Sequence, residues 1–521
     1  MDTDASYDAI PYEDAAFPET HPDALSVIAH LFNFKATPAN RCRVLELGCA
    51  GGGNLIPMAW HWPGSEFVGV ELSQRQATQA RDVSDKLQLR NVKIIHGDIL
   101  SLDQSLGKFD YIIAHGVYSW VSDSVQERLL QLCRELLQPN GIAYVSYNTL
   151  PGWNLREPIR HMMLYRARDA AGDQRVHAAM QMLEIMARSL PLPATCSMPA
   201  LLKQEATQLL AMNVNYLMHD YMEPHNSPLY FHQFMERAGA NHLQYLADTN
   251  LYSMFGQDQT AEFYRALDDI EDLIEFEQYL DFFTYRYFRQ SLLCHTEMEF
   301  DRDAAIERMQ DCQLYASFLS HNTAVNLAST GAETFTSRSG RNHTLNHPLS
   351  KAAVVLLSQA YPNGYAYAEL QVQAERLVSE HGAPELAKQT DNLLRELFAL
   401  YVGQGLHLSL IAREFPASVS QRPRASLLAR VYSHYAKASV ASVHHNAVEI
   451  DDVDRIIIGL LDGTRTLEQM ALSLIQMYSE RAQLREALLQ KGFNRLDDVQ
   501  AVAEHIQQLL YHYAAQGLLD A

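Results

Sequence analysis

Apolar residues in the first third of the chain fall in short unbroken runs, each ending in a polar residue or a glycine turn. The first, Arg43-Val44-Leu45-Glu46-Leu47, reads as a buried strand that breaks straight into Gly48-Cys49-Ala50-Gly51-Gly52-Gly53-Asn54. Residues 67–72, 92–99, 109–116 and 142–147 predict four more strands, and helical periodicity fills the gaps, as over 126–137. Strands alternating with helices predict a parallel sheet and an α/β, Rossmann-like domain.

The pattern changes beyond that domain. Residues 157–190 are helical and methionine-rich, which predicts a crossover or a dimer-forming arm. Thr, Ser, Gly and Asn dominate 323–346, which reads as a loop or linker. From His347 the spacing predicts helices over 349–360, 369–380 and 385–400 and a short strand over 406–411, in the order of a winged helix. Gln421-Arg422-Pro423-Arg424 reads as a linker before a last helical unit, in which Thr466 is an expected helix N-cap. The expected divisions are 1–156, 157–210, 211–335 and 336–521.

Composition narrows the class. The 521 residues suffice for roughly three or four domains. With 41 Lys and Arg against 62 Asp and Glu, the net charge of −21 disfavours nucleic-acid phosphates and anionic lipid as partners. It suits a cationic or neutral partner, such as a lysine-bearing protein. The acidic start lacks an export signal and no apolar run approaches membrane-spanning length, so the expected location is cytoplasmic. Cys42, Cys49, Cys133, Cys196, Cys294 and Cys312 form no Cys-x-x-Cys pair, and no metal is expected. His219, His225 and His232 straddle a proline-broken turn without metal-ligand spacing.

The glycine-rich turn lets a ligand lie against bare backbone. A dinucleotide fingerprint would read Gly-x-Gly-x-x-Gly, whereas here Ala50 takes the second glycine position. Glu71 ends the second run and Asp98 follows the third, and in an open sheet such strand ends face one ligand crevice together with His115. This spacing resembles that of class I S-adenosylmethionine-dependent methyltransferases. The resemblance implies S-adenosyl-L-methionine as cofactor, with Glu46 near its methionine end, Glu71 on the ribose and Asp98 at the adenine. Gly48, Cys49, Ala50, Gly51 and Asn54 would form its loop, with Leu72, Ile99 and His115 beside it.

A narrower resemblance rests on four segments: Tyr7-Asp8-Ala9-Ile10-Pro11-Tyr12, Thr20-His21-Pro22, the loop itself, and residues 109–121 from Phe109 through His115 to Val121. Together with 215–234 they resemble methyltransferases that carry a methyltransferase regulatory domain, among them the rickettsial protein lysine methyltransferases that modify outer membrane protein B. That resemblance favours a homodimer through the helical arm.

Methyl transfer needs alignment, exclusion of water and a neutral acceptor amine. Tyr7, Tyr12, Tyr118, Trp120, Tyr147 and Trp153 are expected to line one aromatic mouth, able to contact a sulfonium or a methylated ammonium. The segment before the first strand would serve as a lid, and His115 is the candidate base. No Asn-Pro-Pro-Tyr-like tetrad follows the fourth strand, which argues against amide or adenine acceptors. The expected function is methylation of lysine side chains in proteins. The alternatives are a small-molecule acceptor and a non-catalytic, cofactor-sensing interaction protein.

Overall fold

Central strands covered by helices on both faces must be apolar throughout, which is why the runs read as continuous rather than alternating. They form β1 (Arg43–Leu47), β2 (Glu66–Glu71), β3 (Val92–His96), β4 (Phe109–Ala114) and β5 (Leu137–Asn148), each parallel to its neighbours within this group of five. The computed structural model describes residues 15–520 apart from 171–172, 190–197, 212–216, 218–220, 224, 256–258, 417–418 and 436. Tyr7, Tyr12, Cys196 and His219 lie outside the described residues.

Two further strands come from far down the chain. β6 (Leu243–Asp248) and β7 (Phe288–His295) extend the sheet to the order β3-β2-β1-β4-β5-β7-β6, with β7 antiparallel to both β5 and β6. The division expected at residue 156 therefore cuts through one sheet. Helices α1 (Pro22–Leu31), α2 (Leu55–His61), α3 (Gln74–Lys86) and α4 (Asp123–Leu136) belong to the first part of the chain. In α4 the buried Gln126, Leu129, Leu130, Cys133 and Leu136 recur at three- and four-residue spacing, the stripe that seats a helix on a sheet.

Between β5 and β6, α5 (Trp153–Arg166), α6 (Asp173–Ser189) and α7 (Met198–Leu210) pack around their own core of Ile159, Met163, Leu183 and Leu209. The chain returns to the sheet through α8 (Phe231–Ala240), whose Phe234 stacks on Tyr147 of β5 at 4.1 Å. α9 (Leu273–Thr284) then leads into β7.

Two arginines near the start of β7 are buried. Arg289 is fully buried, with Nε and Nη2 donating to the two carboxylate oxygens of Asp281 at 2.8 Å and Nη2 also to Glu277 at 2.8 Å. Arg286 lies 3.0 Å from Asp281 and donates to the Ser253 carbonyl at 2.6 Å. Buried guanidinium groups require such partners.

Residues 323–346, expected as a loop, contain β10 (Glu333–Ser337) and β11 (Asn342–Leu345), which with β9 (Phe318–Ser320) form an antiparallel sheet. Alternating Thr and Phe carry the pairing that the polar composition concealed. The next unit holds α10 (Pro348–Ala360), α11 (Tyr367–Glu380) and α12 (Leu393–Val402) beside a small sheet of β8 (Gln313–Tyr315), β12 (Tyr365–Ala366) and β13 (His407–Ser409).

The last unit comprises α13 (Leu427–His434), the hairpin β14 (Ser439–Ala441) and β15 (Ala447–Glu449), and α14 (Asp452–Leu460), α15 (Leu467–Glu480), α16 (Ala482–Gln490) and α17 (Val499–Ala515). Thr466 caps α15 by accepting from the Gln469 amide, as expected. The core of this unit is continuous with the face of the large sheet that carries α2 and α3.

Candidate active site

β1 delivers Glu46 to the carboxyl edge of the sheet and then turns sharply. The Gly48 and Cys49 amides both donate to the Val70 carbonyl of β2, at 2.8 and 3.1 Å. Gly48, Ala50 and Gly52 all have positive φ, of 74°, 48° and 82°. Glycine tolerates that conformation; alanine does so at a cost, met here by a hydrogen bond. The Ala50 amide donates to Glu71 Oε2 at 2.9 Å, while Glu71 Oε1 accepts from the Ser73 amide at 2.8 Å. The carboxylate ending β2 thus holds the loop that follows β1, and burial raises its pKa.

Glu46 is the most constrained acid. Its Oε1 accepts from Asn54 Nδ2 at 2.7 Å, whereas Oε2 is buried without a hydrogen-bond partner among the described residues. Burial first, and then the charge of Glu71, push its carboxyl up to about 7. An orphaned buried carboxylate oxygen in a crevice is a vacancy for a cationic or hydrogen-bonding group of a ligand. Asp98 and Ile99 are at the end of β3, where Asp98 Oδ1 accepts from the Leu100 amide at 2.9 Å and the carboxylate remains exposed. Gly51 is buried within the loop, and Leu72 is half-buried beside Glu71.

His115 follows β4. Its Nδ1 is 2.8 Å from the Tyr144 hydroxyl of β5, and the Phe17 ring lies over it at 4.0 Å. Burial brings its pKa down to about 4, so the ring is neutral at physiological pH. At the adjacent Gly116, with φ 66°, an added Cβ would meet nothing within 4 Å, which leaves open space at the end of the strand.

The described residues before α1 lie beside this crevice, while Tyr7 to Glu13 of the expected lid lie outside the described residues. The Phe17 amide donates to Asn54 Oδ1 at 3.0 Å, and Glu19 Oε1 accepts from Gln290 Nε2 of β7 at 3.0 Å. Beyond Gln290 opens a cavity of about 300 Å³, lined by Asp248, Tyr252, Tyr285, Tyr287 and Phe288 among others. Phe288 touches the His115 ring edge-on at 6.4 Å, so the cavity and the crevice adjoin.

The expected aromatic mouth changes here, since Tyr118, Trp120, Tyr147 and Trp153 are all buried. Tyr118 is fully buried and packs edge-on against Phe234 at 5.2 Å, inside the core rather than at a mouth. Trp120 meets Trp153 edge-on at 6.2 Å and is likewise buried. A short 3-10 turn over Tyr118–Trp120 folds both inward, held by Gln126 Nε2 donating to the Tyr118 carbonyl at 2.8 Å. The Cys49 thiol packs down against Gly69 of β2, where an added Cβ would lie 2.6 Å from the sulfur. Its amide belongs to the loop, but its side chain is core. Asp248 and Gln290 carried no local signal strong enough to be singled out.

The strand order, the positive-φ loop and the acids ending β1 and β2 define a class I S-adenosylmethionine-dependent methyltransferase. Residues 44–141 match the model of a methyltransferase domain, 213–295 that of a predicted methyltransferase regulatory domain, and 421–518 that of a PKMT C-terminal winged helix domain. The chain belongs to the family of methyltransferases that combine these three parts. It is 30% identical over 511 residues to an uncharacterised protein of Rickettsia prowazekii, covering 96% of this chain and 91% of that one. Its structure is similar to that of PKMT2 from Rickettsia typhi, with a TM-score of 0.85 and 27% identity over 98% of this chain and all of that one. The same protein in complex with AdoHcy gives a TM-score of 0.84. The winged-helix match falls on the last unit, whereas the element order that suggested such a fold lies at 347–411. β6 and β7 fall within the regulatory match, so that part completes the catalytic sheet.

Proposed function

We propose that this methyltransferase transfers the methyl group to lysine side chains of protein substrates. The observation that carries the reading is the aromatic cavity beside His115: its tyrosines and Phe288 offer apolar walls to a methylene chain and ring faces to a cationic amine. Likeness to the structure of PKMT2 from Rickettsia typhi supports it.

The cofactor supplies an electrophilic methyl on a sulfonium. Glu46, Glu71 and Asp98 would hold it, with the backbone of Gly48 and Ala50. The residues on the cavity side align the amine, exclude water and disfavour the ammonium. His115 serves better as an orienting group than as the base, because proton transfer from a lysine near pKa 10.4 to a ring near 4 is uphill by roughly six orders of magnitude. Its contact with Tyr144 and Phe17 fixes the floor on which the acceptor rests. We further propose that α5–α7 associate with those of a second copy, because Tyr165, Ile185, Met198 and Leu201 stand exposed on this arm.

The test is incubation with tritiated S-adenosylmethionine and a lysine-rich protein fraction. Label in protein that maps to methyl-lysine by mass spectrometry is the expected result. Label confined to low-mass products would overturn the lysine reading and leave the methyltransferase class intact.

A further inference from the structure

We infer that the tip of the β14–β15 hairpin is part of the cofactor crevice and that His445 is a positioning residue for Glu46, acting through Asn54. The link joins His445 to Glu46 through two contacts of Asn54. Asn54 occupies the N-cap position of α2 but makes no capping hydrogen bond; its side chain bridges instead. Asn54 Oδ1 accepts from the Phe17 amide at 3.0 Å, and a backbone N–H can only donate, so the orientation of the side-chain amide is fixed. Nδ2 then faces Glu46 Oε1 at 2.7 Å and Thr20 Oγ1 at 2.9 Å.

His445 Nε2 lies 2.8 Å from the same Asn54 Oδ1. Since that oxygen accepts, Nε2 carries the proton and Nδ1 is bare, and Nδ1 is buried without a hydrogen-bond partner among the described residues. The ring also packs on that of His21, at 4.9 Å between centroids. Losing the Nε2 contact would leave Asn54 freer to rotate and to turn its oxygen towards the Glu46 carboxylate, which repels it. The crevice acid with the orphaned oxygen is therefore oriented from the last unit of the fold.

The hairpin is built to deliver that ring. The turn is closed by the Ser442 amide donating to the Asn446 carbonyl at 2.8 Å and the His445 amide to the Ser442 carbonyl at 2.9 Å, with His445 at φ 60°. The preceding residue, His444, anchors the tip elsewhere: its Nε2 is 2.7 Å from the Pro362 carbonyl, and Tyr315, Tyr361 and Phe415 surround its ring. One residue holds the hairpin in place and the next reaches the crevice.

The experiment measures S-adenosylhomocysteine binding by calorimetry and thermal unfolding, on the full chain with His445→Leu, His445→Gln, His445→Asn and His444→Leu. Loss of one hydrogen bond in a charged chain predicts that His445→Leu weakens binding about tenfold. His445→Gln, whose amide nitrogen reaches the Nε2 position, should return it to within about threefold of the wild type, while His445→Asn, one bond too short, should weaken it as the leucine does. His444→Leu should lower the unfolding temperature with affinity held within about twofold. Should the leucine variant fail to fold, the contrast between Gln and Asn decides. Wild-type affinity in His445→Leu or His445→Asn, or an equal loss in His444→Leu, would overturn the inference. No binding by the wild type would instead count against the cofactor site itself.

Discussion

Glu46 is a carboxyl held near neutrality by the protein around it, and its titration has consequences of opposite sign for folding and for binding. Its folded pKa of about 7 stands above the ordinary 4.5. The stability contributed by the protonated form is complete below about pH 4.5 and is lost as the pH rises through 7. A carboxyl that receives an ammonium must be ionised, so affinity for S-adenosylhomocysteine should strengthen from pH 6 to pH 8. Calorimetry across that range should show proton release on binding, and Glu46→Gln should flatten the dependence. A pH-independent affinity in the wild type would remove Glu46 from the binding equilibrium. His115 makes a second residue-scale prediction. As an orienting group, His115→Gln should cost no more than about tenfold in kcat, whereas loss of a general base costs roughly a hundredfold to ten-thousandfold. Single-turnover rates with a methyl-accepting protein substrate separate these outcomes.

At the scale of elements, β7 ties the catalytic sheet to the buried ion network beneath it. Arg289→Leu would leave Asp281 and Glu277 in the core without their guanidinium partner, a change that costs about 3–5 kcal/mol. A marked fall in unfolding temperature, with cofactor affinity reduced in step, is expected by differential scanning fluorimetry; a shift of only a degree or two would show the acids find other partners. The five parallel strands were legible because each couples an apolar run to a polar strand end, which is how Glu46, Glu71 and Asp98 could be picked out. β6 and β7 were not, since no local pattern tells a strand which distant sheet it will join. Tyr118 and Trp120 misled for a related reason: aromatic residues after a strand suit a mouth or a core equally, and the 3-10 turn that buries them has no signature of its own.

At the scale of the whole molecule, the site draws on residues from Phe17 to His445, and its last member lies in a unit that sequence alone places far from the chemistry. Polar residues such as Gln290 and His445 act by position in the assembled fold, not by motif. The helical arm is the outward-facing counterpart. Its exposed Tyr165 and Ile185, at 70% and 52%, predict a dimer by light scattering at micromolar concentration, and Ile185→Glu should give a monomer that still binds S-adenosylhomocysteine. A wild-type monomer would end that proposal.

The antiparallel insertion of β7 also sets a clock on synthesis. When β5 leaves the ribosome at Asn148, its open edge must wait for His295, which is 295 − 148 = 147 residues later. At roughly 5–20 residues per second the wait is about 7 to 30 s. Throughout it a nascent chain displays an apolar, unpaired strand of the kind that recruits other strands. The arm helices made in that interval cannot cover the edge, since they pack on themselves. Production of this protein therefore depends on whatever shields that edge until the seventh strand arrives, and fragments ending before His295 should be lost to aggregation rather than to lack of activity.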